Sequence, residues 1–155
     1  MQRQLETHWC WAAVSASVNE FYGGAMPWSQ CEIATACLGM ACCQFPDPCD
    51  APHTLEHPLS VVGHLVNHDR GPIDLWRIVE CIDNGQAVCC HIDWNGGGGH
   101  FVAIVGYDPV TGDVLIEDPA RGDDTVPLAR FTQSYNGEGQ WDYTYFTAAN
   151  GGETP

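Results

Sequence analysis

An α+β domain is predicted by where the apolar residues recur. Up to about residue 83 they recur at helical spacing, and from Gln86 onward they alternate or run in short apolar stretches. Helices first and strands later is the order of an α+β chain. Punctuation at Gly23-Gly24, Gly39, Gly71-Pro72 and Asn84-Gly85 divides the first part into short elements. The 155 residues suit one domain, 1–155, with 148–155 expected to fray.

Residues 1–9 read as extended. The first helix runs from about Cys10 to Tyr22, with Trp11, Val14, Val18 and Phe21 as its apolar stripe. Ser29-Gln30-Cys31-Glu32 is a capping box that opens a second helix to about Leu38. Residues 40–53 hold Cys42, Cys43 and Cys49 with little periodicity and read as a cross-linked loop. A third helix is expected over about Leu59–Asn67, which would put His64 and His68 one turn apart on its surface. Asp74 caps a fourth, about Leu75–Asp83.

In the strand from Gln86 to Trp94, Val88, Cys90, Ile92 and Trp94 form the apolar face. Ala87, Cys89, His91 and Asp93 form the polar one. Asn95–Gly99 is a loop that lets backbone approach a ligand closely. Strands follow over His100–Tyr107 and Asp113–Glu117, then an acidic loop over 119–126. Leu128–Tyr135 is ambiguous between helix and strand, and Trp141–Thr147 is a last strand.

Net charge is −15, with five arginines and no lysine. That argues against nucleic acid or an anionic membrane as partner, and it fits solubility or a basic partner. No apolar run is long enough for a membrane span. No signal peptide is visible in Met1–Glu6, which is compatible with a leader removed upstream. Nine cysteines less Cys10 leave eight, the arithmetic of a disulfide framework in an oxidising compartment. Zinc on Cys42, Cys43 and Cys49 with nearby histidines, or reduced buried thiols, are the competing readings. Of the vicinal pair, Cys89 is the candidate for a bridge to the loop of 37–49, and Cys90 should be buried. Cys42 and Cys43 should take different partners.

The chemistry centres on Thr7-His8-Trp9-Cys10-Trp11-Ala12-Ala13. Cys10 opens a helix, whose free N–H groups and dipole favour a thiolate. Gln4 lies six residues earlier, His100 opens an apolar run after four glycines, and Asp118 closes another before Pro119. Singly, these residues read as well as an ordinary amide, a strand histidine and a turn aspartate. The order Gln, Cys, His, Asp and the spacing of six resemble the papain-like cysteine peptidases. Trp-Cys-Trp-Ala-Ala is similar to the staphopain and bacterial avirulence-effector branches. Gly-His-Phe-x-x-x-x-Gly-Tyr and Asp-Pro resemble the bacteriocin-processing branch. The likeness spans about residues 2–147 and departs from papain in carrying Asp118 where papain has Asn.

The resemblance implies a papain-like fold, with the Cys10 helix packed on an antiparallel sheet that carries His100 and Asp118. It implies Cys10 as nucleophile, His100 as acid and base, Asp118 as its orienting partner, and Gln4 with the Cys10 N–H as oxyanion donors. No cofactor and no metal are implied. The expected partners are a protein or peptide substrate and a cognate inhibitor or immunity protein, and the expected setting is secreted or delivered into a target cell. Trp94 and Trp141 are candidate cleft walls, whereas Trp9 and Trp11 read as packing. Acyl transfer or deamidation by the same residues, and an acidic disulfide-rich binding domain, are the alternatives. His100 and Asp118 share a sheet face only if their strands pair with an even register sum.

Overall fold

The computed structural model describes residues 1–151. Six antiparallel strands form one sheet in the order β1-β6-β2-β3-β4-β5, with β1 Leu65–Arg70, β2 Val88–Trp94, β3 Gly99–Tyr107, β4 Asp113–Asp118, β5 Gly122–Pro127 and β6 Gly139–Thr147. Helices α1 Cys10–Phe21, α2 Gln30–Leu38 and α3 Glu56–Val61 belong to one layer; α4 Leu75–Asp83 and α5 Leu128–Ser134 belong to the other. The predicted α+β class is the observed one.

Helix α1 forms because its small residues allow close approach. Ala12, Ala13 and Ala16 are essentially buried beside Trp11, Val14 and Val18, and α1 packs on β3. Phe21 departs from the expected stripe: it is exposed and meets Tyr22 edge-on. The capping box of α2 is present. Ser29 Oγ accepts from Glu32 N, and the Glu32 carboxylate accepts from Ser29 N. A Ser29→Ala change removes about 1 kcal/mol. Gln30, one residue on, clamps the N-terminal segment. Its Oε1 accepts from Leu5 N, and its Nε2 donates to Arg3 O and Gln2 Oε1.

Three expectations need correction, and one open reading is resolved. The third helix ends at Val61, because Gly63 takes φ 80° and turns the chain into edge strand β1. His64 is therefore buried, bonded to Ala148 O and Asn19 Oδ1, while His68 lies on a strand. The acidic loop of 119–126 contains β5, which pairs along the whole of β4. The ambiguous stretch after it is helix α5. Strand β2 is covered on both faces: Cys89 packs under α1 and α3, and Val88, Cys90 and Ile92 pack under α4 and α5.

Only half of the expected disulfide framework is present. Cys31 bonds Cys43 and Cys42 bonds Cys49, so the adjacent pair does diverge and cannot ligate zinc. Cys37, Cys81, Cys89 and Cys90 are thiols, and Cys89 makes no bridge to the loop. Two disulfides point to an oxidising, non-cytoplasmic setting. Among the described residues, no helix is long and apolar enough to cross a membrane. Residues 148–151 are tied down by Ala148 N to His64 O and Gly151 N to Gly63 O; the rest of the expected frayed tail, 152–155, lies outside the described residues.

Candidate active site

Cys10 is the first residue of α1 and 7% exposed. Its helix has no side-chain N-cap and no acidic residue in the first turn, so the dipole and free N–H groups are left for the sulfur. The two flanking tryptophans anchor this turn. Trp9 Nε1 donates to Cys49 O at 2.9 Å and Trp11 Nε1 to Ala51 O at 3.0 Å. The Cys42–Cys49 disulfide fixes the residue that supplies the first of those carbonyls, two residues before the second, so a covalent link stands behind the position of Cys10.

His100 enters at the start of β3, after Gly97 and Gly98, whose φ values of 94° and 82° admit little but glycine. Its Nε2–H donates to Asp118 Oδ1 at 2.8 Å, which leaves Nδ1 for the sulfur side. Both residues are almost fully buried. Burial alone would lower the affinity of the imidazole for its proton. The hydrogen bond and charge of Asp118, and the neighbouring Cys10 sulfur, outweigh burial and raise the pKa to about 9. Burial likewise pushes the Asp118 carboxyl up. His100, the Ala120 N–H and Tyr135 reverse that and hold it below its ordinary value.

Asp118 is satisfied on both oxygens. Oδ1 also accepts from Ala120 N at 2.7 Å and Arg121 N at 3.0 Å, and Oδ2 accepts from Tyr135 Oη at 2.8 Å. Trp94 stacks on His100 at 5.9 Å and on Tyr135 at 6.2 Å, with the Arg121 guanidinium 4.8 Å over its ring. Trp94 thus lines the cleft as expected. Trp141 does not: it is buried against Phe131.

Gln4 is held beside this group by its backbone, Gln4 N donating to Pro119 O at 3.0 Å. Its Nε2 donates to Glu6 O at 3.1 Å and Thr7 O at 2.6 Å. Gln4, Cys10, Trp11, His53, Trp94 and His100 line one cleft of about 430 Å³. The structure therefore brings together all four residues singled out in the sequence. A buried thiol, an imidazole with high proton affinity and an anionic partner have the chemistry that acyl transfer through sulfur needs.

A model of the family described as Peptidase_C39 like family matches residues 1–143. The chain belongs to that family. It is a papain-like cysteine peptidase, as the order of its motifs implied. This C39-like peptidase also shares its fold with a solved structure described as a double glycine motif protease from an AMS/PCAT transporter in complex with the leader peptide. The two are 19% identical over 94% of this chain and 88% of the other, with a TM-score of 0.51. No curated protein matches the chain.

Sequence reasoning missed Tyr135 as a partner of Asp118, and Asp142, whose Oδ1 lies 2.6 Å from His91 Nδ1 beside the cleft. It also missed Asp50, which accepts from His8 N at 2.7 Å. Each contact crosses from one element to a distant one, and no local spacing announces it.

Proposed function

We propose that this peptidase cleaves peptide bonds through Cys10, His100 and Asp118, with Gln4 and the Cys10 N–H as oxyanion donors. The observation that carries the proposal is the single imidazole of His100, held by Asp118 on one side and raised in proton affinity by Cys10 on the other. The Cys10 thiolate attacks the carbonyl carbon, and the oxyanion takes up the N–H donors. The tetrahedral adduct collapses, the amine leaves with a proton from His100, and a thioester remains. His100 then takes a proton from water, whose oxygen attacks the thioester. The acid leaves and Cys10 is regenerated. Two disulfides and the acidic surface support a secreted enzyme or one delivered into a target cell.

The described neighbour makes peptides with a Gly-Gly motif the first substrates to offer. Wild type should yield two fragments whose masses sum to the peptide plus one water, and Cys10→Ala should yield none. A mass change of one unit without fragmentation would establish deamidation instead, and fragments joined to an added amine would establish transfer.

A further inference from the structure

Tyr135 lies outside the four residues above, yet its hydroxyl is the protein donor to the second oxygen of Asp118. The first oxygen is committed three times, to His100, Ala120 N and Arg121 N. Without a partner on Oδ2, a carboxylate 1% exposed keeps a lone, unsatisfied acceptor and loses the restraint on its plane. The phenol is itself over-determined. Tyr135 ends α5, bridges to Gly139 at the start of β6, meets Phe131 edge-on at 5.2 Å and stacks on Trp94. Burial and the charge of Asp118 raise the Tyr135 hydroxyl pKa, so it stays a donor across the working range of a thiol enzyme.

We propose that Tyr135 is a positioning residue for the reaction. It fixes the plane of Asp118 so that one oxygen alone serves His100. The proposal rests on the reading of His100 and Asp118 given above. Tyr135 acts through Asp118 and touches no substrate.

The test is a double-mutant cycle on Cys10 alkylation by iodoacetamide at about pH 6, followed by mass spectrometry. Mapping the modified peptide reads Cys10 separately from the other free thiols, whose ionisation burial disfavours. Burial raises Cys37 to about 11 and Cys89 to about 12, and Cys81 and Cys90 are raised as well. Tyr135→Phe keeps the ring in its stack and removes only the hydroxyl, so the fold is retained. Tyr135→Phe and Asp118→Asn should each slow alkylation about fivefold, and the double variant should be no slower than Asp118→Asn alone. Wild-type rates in Tyr135→Phe, or losses that multiply in the double variant, overturn the proposal. Wild-type rates in Asp118→Asn overturn the reading beneath it as well, and that result is recognised from the Asp118 variant alone.

Discussion

His100 and Asp118 meet because of a bulge two turns of the pleat away from them. Near the β3–β4 turn, Gly106 pairs Leu115 and Tyr107 pairs Val114, an odd register; beyond Val105, Ile104 pairs Ile116 and Ala103 pairs Glu117, an even one. The one-residue slip puts His100 and Asp118 on the same face, where the 2.8 Å bond forms. Had the odd register run through, the two side chains would point to opposite layers. Val105 is the extra residue, so deleting it leaves Gly106 opposite Leu115 and Ile104 opposite Ile116. His100 and Asp118 should then stay on one face, and Cys10 should still alkylate near neutral pH. Loss of alkylation in that variant would mean that the bend of the bulge, and not its register, brings the two together.

The pair also sets a pH window for stability. The His100 pKa is raised, so its contribution is complete below its unfolded value of about 6.5 and is lost as pH rises through about 9. The Asp118 pKa is depressed, so its contribution is present above an unfolded value of about 3.9 and is lost as pH falls through the lower folded one. Melting temperatures of wild type and His100→Ala should accordingly converge as pH is taken from 7 towards 10. A gap that stays constant over that range would mean that His100 is not charged in the folded enzyme.

The position of Cys10 should depend on the loop of 40–53. Replacing Cys42 and Cys49 by Ala removes a short closed loop and should cost about 2 kcal/mol of stability. Because Cys49 O and Ala51 O hold Trp9 and Trp11, the same change should lower cleavage more than the stability loss explains at temperatures where the protein is still folded. Cleavage and unfolding curves measured side by side on that variant decide it.

The cleft floor is equally particular at Gly99. A Cβ there would collide with His91 Nε2, and His91 cannot simply swing away because Asp142 holds its other nitrogen. Gly99→Ala should displace the start of β3, and with it His100, lowering kcat/KM about tenfold or more. His91→Ala in the same chain should recover most of that loss. A double variant as poor as Gly99→Ala would show that backbone strain, not the imidazole, is the obstacle.

The parts of this site that were legible in sequence are those with a local signature. Cys10 sits between tryptophans at a helix start, His100 follows glycines into an apolar run, and Asp118 precedes Pro119. What was not legible depends on which strands become neighbours. Tyr135, Asp142 and Asp50 reach their partners only once α5, β6 and the cross-linked loop are in place. The helix expected to run to Asn67 failed for a related reason. After Leu65, β1 is an exposed edge strand, so it shows no alternation to separate it from a solvated helix. Cys89 was placed on a polar face by His91 and Asp93. Those residues lie toward the more exposed end of β2, whereas Ala87 and Cys89, small and apolar, lie in the core.

Gln4 provides the sharpest separation of roles. Its two amide hydrogens lie on Glu6 O and Thr7 O, and its Oε1 is buried without a partner. The carbonyls fix which end of the amide carries nitrogen, because a flipped amide would place oxygen against oxygen. Both hydrogens are committed in this way, so the proposed oxyanion role requires one of them to leave its carbonyl, or be shared with it, when substrate binds. Alkylation of Cys10 develops no oxyanion, whereas peptide cleavage does. Gln4→Ala should thus lower cleavage by roughly 10²- to 10³-fold, the usual loss for one such donor, and leave the iodoacetamide rate nearly unchanged. Gln30→Ala, which releases the segment without touching the amide, should show a weaker form of the same pattern. If cleavage and alkylation fall together in Gln4→Ala, the amide serves to shape the Glu6–Thr7 backbone before Cys10, and the oxyanion must be held by the Cys10 N–H without it.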